Sequence, residues 1–371
     1  MAVSTIDPNG LNVGQFGNRN LILNGSMAVA QRATSVTGVS STGYHTCDRY
    51  RAAFSRSEYV CTVSQDTSAP SGFANSYKIA TTTSESALSA GDQINISQRL
   101  EGQNSQNIAK GTSDAKQLTL SFWVKSSIAT TWTSDLYDYD NTRHCSKTYT
   151  TDVANTWEYK TITFPADTTG AFGNDNGASL FVRFWLDAGT DFTSGTQATA
   201  WAGAANVNTV YAATGFMTTA NSTWQITGLQ LEVGDTPTPF EHTSFGDQLQ
   251  KCQRYLYAIN AKGHPSSTSD AYARFISFGQ GANASIWFPQ YPVQMRALPS
   301  LIATNVSSST FQMFNYNAQT SVSLTGISQA EGSQTTGQVV FTTASGISAG
   351  DTVSLRWNLS PNASFQFDAE L

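Results

Sequence analysis

Charge is what this sequence has least of. Asp, Glu, Lys and Arg make up 12% of its 371 residues, about half the roughly 25% of an average soluble chain. Basic residues are the scarcer kind, with 20 Lys and Arg against 26 Asp and Glu for a formal net charge of −6. A nucleic-acid clamp needs a basic stripe along one face, so no nucleic-acid partner is expected. Long apolar runs are missing too. No stretch approaches the ~18 residues of a spanning helix, and the first twenty residues lack the basic start and apolar core of a signal peptide. No membrane insertion is expected. The four cysteines (Cys47, Cys61, Cys145, Cys252) and four histidines (His45, His144, His242, His264) are scattered, without the close spacing that marks zinc ligation. No metal site and no cofactor are expected. Each cysteine reads as a free buried thiol, although Cys47 and Cys61 could bridge adjacent strands. His144 and Cys145 are adjacent, which in a strand sends their side chains to opposite faces and disfavours a catalytic dyad.

What the chain has instead is hydroxyls and rings. Ser and Thr total 91 residues and aromatics reach 11%, too many rings for a disordered chain. The length suits two or three domains. Segment 118–125 alternates cleanly: Leu118, Leu120, Phe122 and Val124 fall on one face, and Thr119, Ser121, Trp123 and Lys125 on the other. Segment 180–187 repeats the pattern, with Leu180, Val182, Phe184 and Leu186 against Phe181, Arg183, Trp185 and Asp187. From Leu21 the pattern is strand-like, and further strands are expected at 58–63, 75–81, 93–100, 157–164 and 224–233. In the last of these the apolar phase changes at Gly228, which predicts a bulge or bend.

One helix is expected, over 244–257. Phe245, Leu249, Cys252 and Leu256 make one apolar stripe at helical period. Ser244 and Asp247 form a capping-box-like start, and Pro237 and Pro239 bar an earlier one. Beyond it, strands are expected at 272–279, 284–288, 300–306, 311–316, 337–343, 352–359 and 364–369, with 337–359 a hairpin turning at Gly350-Asp351. Ser89-Ala90-Gly91-Asp92 and Ser348-Ala349-Gly350-Asp351 share four letters, each ahead of an alternating strand.

Catalytic signatures do not hold together. Gly346-Ile347-Ser348-Ala349-Gly350 matches the nucleophile-elbow pattern, but that motif works only at a strand–turn–helix, and here an alternating strand follows. Asp135, Asp138, Asp140 and Asn141 form the densest acidic cluster. An EF-hand starting at Asp138 fails because Arg143 and Tyr149 stand where Gly and Glu are required. A solvated acidic turn is the reading preferred over a loop calcium site. Glycosidase chemistry needs two carboxylates across a cleft, and among Glu58, Glu101, Glu158, Glu232 and Glu241 no pair stands out. The chain is therefore not expected to be an enzyme.

The aromatics carry more. Trp123 and Trp185 sit on the polar phase of their strands, beside Lys125 and Arg183. Trp132, Tyr137 and Tyr139 fall on what reads as an adjoining loop. Rings with a few polar neighbours are what sugar sites use. Trp123, Lys125, Trp132, Tyr137, Tyr139, Arg183 and Trp185 are therefore the candidate ligand-binding residues, weighed against packing within a sandwich or between subunits.

Several ordered segments resemble a large family of tailed-bacteriophage virion proteins, tail proteins or tail fibres with a carbohydrate-binding-module-like jelly roll. They begin with Asn18-Arg19-Asn20-Leu21-Ile22-Leu23-Asn24-Gly25-Ser26-Met27, Gln31-Arg32 and Asp48-Arg49-Tyr50. Gln98-Arg99-Leu100-Glu101-Gly102, Leu120–Lys125 and Asn155–Tyr159 follow. The set closes with Ile226–Gly234, Thr238-Pro239-Phe240-Glu241 and Cys252-Gln253-Arg254-Tyr255, and Phe288-Pro289 with Met295-Arg296-Ala297 and Pro299 extends it. The resemblance implies a virion component, on the tail rather than the capsid, assembled in the host cytoplasm and helping to engage the host surface. A capsid decoration or head fibre, or a polysaccharide depolymerase, are the alternatives. Implied partners are other virion proteins and copies of the chain itself, most simply a trimer; the ligand is not implied, and a host-surface glycan is the partner that the aromatic candidates suggest. Association would also cover Trp123, Phe181 and Trp185 on their nominally polar faces.

The expected architecture is all-β. An N-terminal arm (1–17) precedes a jelly-roll sandwich (18–243), a junction helix (244–257) and a second β domain (258–371). Leu21–Leu23 and Leu229–Val233 are expected on strands in the sandwich core.

Overall fold

In the computed structural model the described residues are 18–56, 58–260, 273–304, 311–357 and 364–371. The expected arm, 1–17, lies outside them. Two units divide the chain, Met1–Gln248 and Leu249–Leu371.

The first unit begins with β1 (Ser35–Val39), β2 (Gly43–Tyr44), β3 (Arg51–Ser55), β4 (Val60–Asp66), β5 (Ser76–Thr83) and β6 (Gln93–Glu101). It continues with β7 (Leu118–Ser126), β8 (Thr131–Asp138), β9 (Arg143–Thr150), β10 (Glu158–Phe164), β11 (Ala178–Ala188), β12 (Ala202–Gly203) and β13 (Thr223–Val233). They form a six-stranded sheet in the order β1-β4-β5-β13-β7-β10 and a seven-stranded sheet in the order β12-β9-β8-β11-β6-β3-β2. Every pairing is antiparallel. This is the expected jelly-roll sandwich. Leu118, Leu120, Phe122 and Val124 from one sheet and Leu180, Val182, Phe184 and Leu186 from the other are all buried in one core. Each such side chain contributes roughly 1.5–3 kcal/mol by leaving water.

Three local expectations need correcting. Leu21–Leu23 is not a strand, because the side chains of Asn20 and Gln98 take over the backbone groups of Ile22 and Leu23. Asn20 Oδ1 accepts from the N–H groups of Ile22 (2.9 Å) and Leu231 (3.1 Å), while its Nδ2 donates to the Leu229 carbonyl. Ile22 is buried all the same. Next, residues 131–138 are not a loop but β8, paired in register with β9 from Thr131↔Thr150 to Asp138↔Arg143. Its buried positions include Ser134, Asp135 and Asp138, so no apolar alternation marks it. Last, the helix runs Phe245–Gln253 only, with Phe245 exposed. Its start is as expected, with the Asp247 N–H donating to Ser244 Oγ. A turn from Cys252 to Tyr255 then ends it.

The phase change in β13 is a bulge at Gly228, whose φ is +62° and where register slips between Thr227 and Gln230. A Cβ there would meet Phe73 Cζ at 2.7 Å, so both the conformation and the space call for glycine.

The second unit comprises β14 (Leu256–Asn260), β15 (Ala273–Gly281), β16 (Ala284–Trp287), β17 (Ser300–Thr304) and β18 (Phe311–Asn315). It also holds β19 (Thr320–Gly332), β20 (Gly337–Thr343), β21 (Thr352–Trp357) and β22 (Ser364–Asp368). A closed barrel runs β15-β16-β20-β19-β18-β21, and β14-β22-β17 form a separate sheet. The expected hairpin is absent. β20 pairs with β16 and β19, whereas β21 pairs with β15 and β18. The turn itself exists, and it has a twin. Asp351 N–H donates to the Ser348 carbonyl while Ser348 N–H donates to Asp351 Oδ2; Asp92 and Ser89 make the same two bonds. Turn chemistry accounts for the shared tetrapeptide, and it fixes Ser348 in a strand–turn–strand.

Candidate functional site

Strand register assembles a set of side chains on the outer face of the seven-stranded sheet. Ser97 of β6 lies opposite Arg51 of β3 on one side and opposite Arg183 of β11 on the other. Arg183 in turn faces Asp135 of β8. Two residues along the strands, Arg99 faces Phe181, Phe181 faces Tyr137, and Tyr137 faces His144. Period two puts both rows on one face.

Asp135 organises the first row. It is fully buried and accepts from Arg183 Nε (2.9 Å), Arg183 Nη2 (2.5 Å) and the Trp185 indole N–H (2.7 Å). His144 lies nearby, and burial holds its imidazole below the ordinary value of 6.5; Asp135 pulls it up and Arg183 pushes it down. Trp185 is buried under Phe192 and Val210, so segment 188–223 covers it within the chain.

The second row is open. Tyr139 is 58% exposed and stacks on Phe181 with centroids 5.3 Å apart and planes 13° apart. Tyr137 leans on the same ring at 5.6 Å. The Arg99 guanidinium sits 4.7 Å from the Phe181 centroid, and that of Arg183 sits 4.6 Å from the Tyr137 centroid. Tyr211, 59% exposed, is tied to this face by its N–H bond to Thr133 Oγ1. Accessible rings flanked by planar donors can stack on the apolar face of a pyranose and bond its hydroxyls.

The seven sequence candidates do not form one site. Tyr137, Tyr139, Arg183 and Trp185 share this face. Trp123 and Lys125 lie on β7, in the other sheet. Trp123 packs on Tyr159 at 5.4 Å, and Lys125 donates to Ser68 Oγ at 2.7 Å over the Trp157 ring. Trp132 points into the core, fully buried, its indole bonded to Thr151 Oγ1. Phe181, Tyr211, Arg99 and Arg51 were not among the candidates. Phe181 and Arg99 had a signal, each standing on the polar phase of an expected strand.

The acidic cluster is a solvated turn only at its Asp140 end; Asp135 and Asp138 are buried on β8. Asp138 and Lys110, both buried, form an ion pair (2.5 Å) that Asp167 and Arg143 extend. The glutamates have structural work. Glu241 accepts from the N–H groups of Asn18 and Asn20, Glu232 accepts from Thr238, and Glu85 clasps the backbone at Glu58 and Tyr59. Glu101 is buried beside Gln103. Burial alone would raise Glu158, but bonds from Lys160 and the Val153 and Asp152 N–H groups hold it at about 2. All four cysteines are buried and outside any disulfide, so Cys47 and Cys61 are not bridged. Burial pushes the Cys61 and Cys145 thiols up to about 12.

No family model matches the chain, and no curated protein does. Among solved structures, TmCBM61 in complex with β-1,4-galactotriose is similar at 10% identity, covering 58% of this chain and 100% of that one, with a TM-score of 0.31. A family 30 carbohydrate binding module matches at 9% identity over 62% of this chain and 94% of its own, TM-score 0.31. The enzymatically active domain of bacteriophage CBA120 tailspike protein 4 matches at 12% identity over 58% of this chain, TM-score 0.29. The chain spans only 22% of that domain. At these TM-scores the likenesses carry no functional weight.

Proposed function

We propose that the protein is a glycan-binding component of a tailed-phage virion, and that the outer face of its seven-stranded sheet takes the sugar. The observation that carries this reading is the exposed stack of Tyr139 on Phe181, with Tyr137 and two guanidiniums around it. Exposed rings held by a rigid sheet lose little freedom when a sugar settles on them. The virion context rests on the ordered segments from Asn18 to Tyr255 that resemble phage tail proteins. Position on the tail, and a role in engaging the host surface, belong to the same proposal.

The protein acts by binding and not by catalysis. Four of the five candidate glutamates, Glu101, Glu158, Glu232 and Glu241, accept hydrogen bonds within the fold, and Ser348 is locked in a turn. It works as a homo-oligomer, most simply a trimer, in which weak sugar contacts repeat and gain avidity. Cover for Trp185 is no longer a reason for association, since Phe192 and Val210 supply it; half-buried Phe181 and Trp123 remain.

Binding of the purified protein to an array of bacterial-surface glycans tests the central part. Retention of at least one glycan, lost in Phe181→Ala, is expected; retention unchanged by that substitution contradicts it. Cryo-EM of the particle tests placement, and density for this chain on the capsid alone contradicts a tail role. Sedimentation tests assembly, and a concentration-independent mass near 39.8 kDa contradicts the oligomer.

A further inference from the structure

Arg183, on this face, already has a carboxylate, and so do two cations on the opposite phase of the same sheet region. Arg183 is held by Asp135, and Lys110 and Arg143 by Asp138 and Asp167. Arg51 and Arg99 are different. Among the described residues, neither has an ion-pair partner. Yet they stand on paired strands, Arg51 opposite Ser97 and Arg99 two residues further along the same face. Both are only partly exposed, and Arg99 Nε is buried with no hydrogen-bond partner. Burial, then the neighbouring Arg99 charge, holds the Arg51 guanidinium below its ordinary value. Two like charges left together in a chain of net charge −6 cost stability rather than supply it. An anion between them reverses the sign of that interaction. Arg99 also sits over Phe181, so a group held by both arginines lies beside the ring on which a pyranose stacks.

We infer that this face reads an acidic saccharide, its carboxylate or phosphate gripped between Arg51 and Arg99 while the sugar ring packs against Phe181 and Tyr139. The inference rests on the glycan reading of the same face and narrows its ligand. Guanidinium forks meet either anion with two parallel bonds, so the two chemistries are separated by experiment.

The test is an equilibrium titration of the whole chain with three immobilised probes: a neutral galactan, a polygalacturonate and a phosphomannan. The expected result is retention of a charged probe, polygalacturonate for a carboxylate reader and phosphomannan for a phosphate reader. Affinity falls about tenfold or more in Arg51→Gln and in Arg99→Gln, and falls again in high salt. Arg51→Lys, which keeps the charge without the fork, gives an intermediate loss. Both Gln variants melt at or above the wild-type temperature, because a repulsion has gone, which separates lost binding from lost fold. Equal retention of the neutral galactan, or charged-probe affinity unchanged in both Gln variants, overturns the inference and leaves the glycan reading standing. Failure to retain either charged probe also overturns the inference alone, and retention that Phe181→Ala does not alter overturns both.

Discussion

Arg183 and Asp135 meet across the register of β8 and β11, with two guanidinium nitrogens on the carboxylate at 2.9 and 2.5 Å. The pair explains why Arg183, though on the binding face, is a positioning residue there. Its charge is neutralised, and its place over Tyr137 is fixed. Replacing Asp135 by Asn leaves Arg183 without its counter-ion in a partly buried setting. We expect a loss of about 2–4 kcal/mol in urea unfolding followed by tryptophan fluorescence. A loss under about 0.5 kcal/mol would show the pair to be no more than a surface contact.

The buried Lys110 ion pairs predict a larger effect. Lys110→Met leaves Asp138 and Asp167 facing each other with only Arg143 to compensate. The expected cost is about 3–5 kcal/mol at neutral pH. Burial would raise the Asp167 carboxyl, but bonds from Arg143 and Lys110 hold it below its ordinary range, so acidification that protonates it narrows the gap between variant and wild type. A gap that widens in acid would contradict this role.

His144 predicts a pH slope of known sign. Burial lowers its folded-state value below the ordinary 6.5, so the unfolded chain binds the proton more readily. The resulting stability is complete above pH 6.5 and is lost as pH falls from there through the folded-state value. Urea midpoints at pH 8 and pH 5 should differ in that direction, and His144→Gln should flatten the difference. An unchanged slope in the variant would assign it elsewhere.

Gly228 predicts a local failure. Valine there must adopt a φ of +62° and displace Phe73 Cζ from 2.7 Å. The expected loss is about 2 kcal/mol or more, measured by denaturant unfolding. A neutral Gly228→Val would mean that β13 can run through without its bulge.

Alternation in 118–125 and 180–187 was legible because the inward set is wholly apolar. It failed at β8, where Ser134 and Asp135 are buried against partners on β11 and Asp138 against Lys110 from the turn before β7. It misled at 337–359, since a tight turn reveals a reversal but not which strands become neighbours. The opening segment misled for a related reason. Leu21, Ile22 and Leu23 look like a strand, yet Asn20 reaches across to β13, and the Gly25 carbonyl accepts from Leu229 N–H. Glu241 closes the same knot at Asn18 and Asn20. The first and last segments carrying the family resemblance to the jelly roll thus meet each other in space, as parts of its closure. The binding face was half legible. Phe181 and Arg183 show their phase in the sequence, but the meeting of Arg51, Arg99 and Phe181 is a matter of register across three strands.

The most direct measurement is a crystal structure of the chain soaked with an oligosaccharide it retains on an array. A sugar ring lying against Phe181 and Tyr139 on the outer face of the seven-stranded sheet is the predicted result. A sugar bound instead at Trp123 and Tyr159, on the outer face of the other sheet, would contradict it.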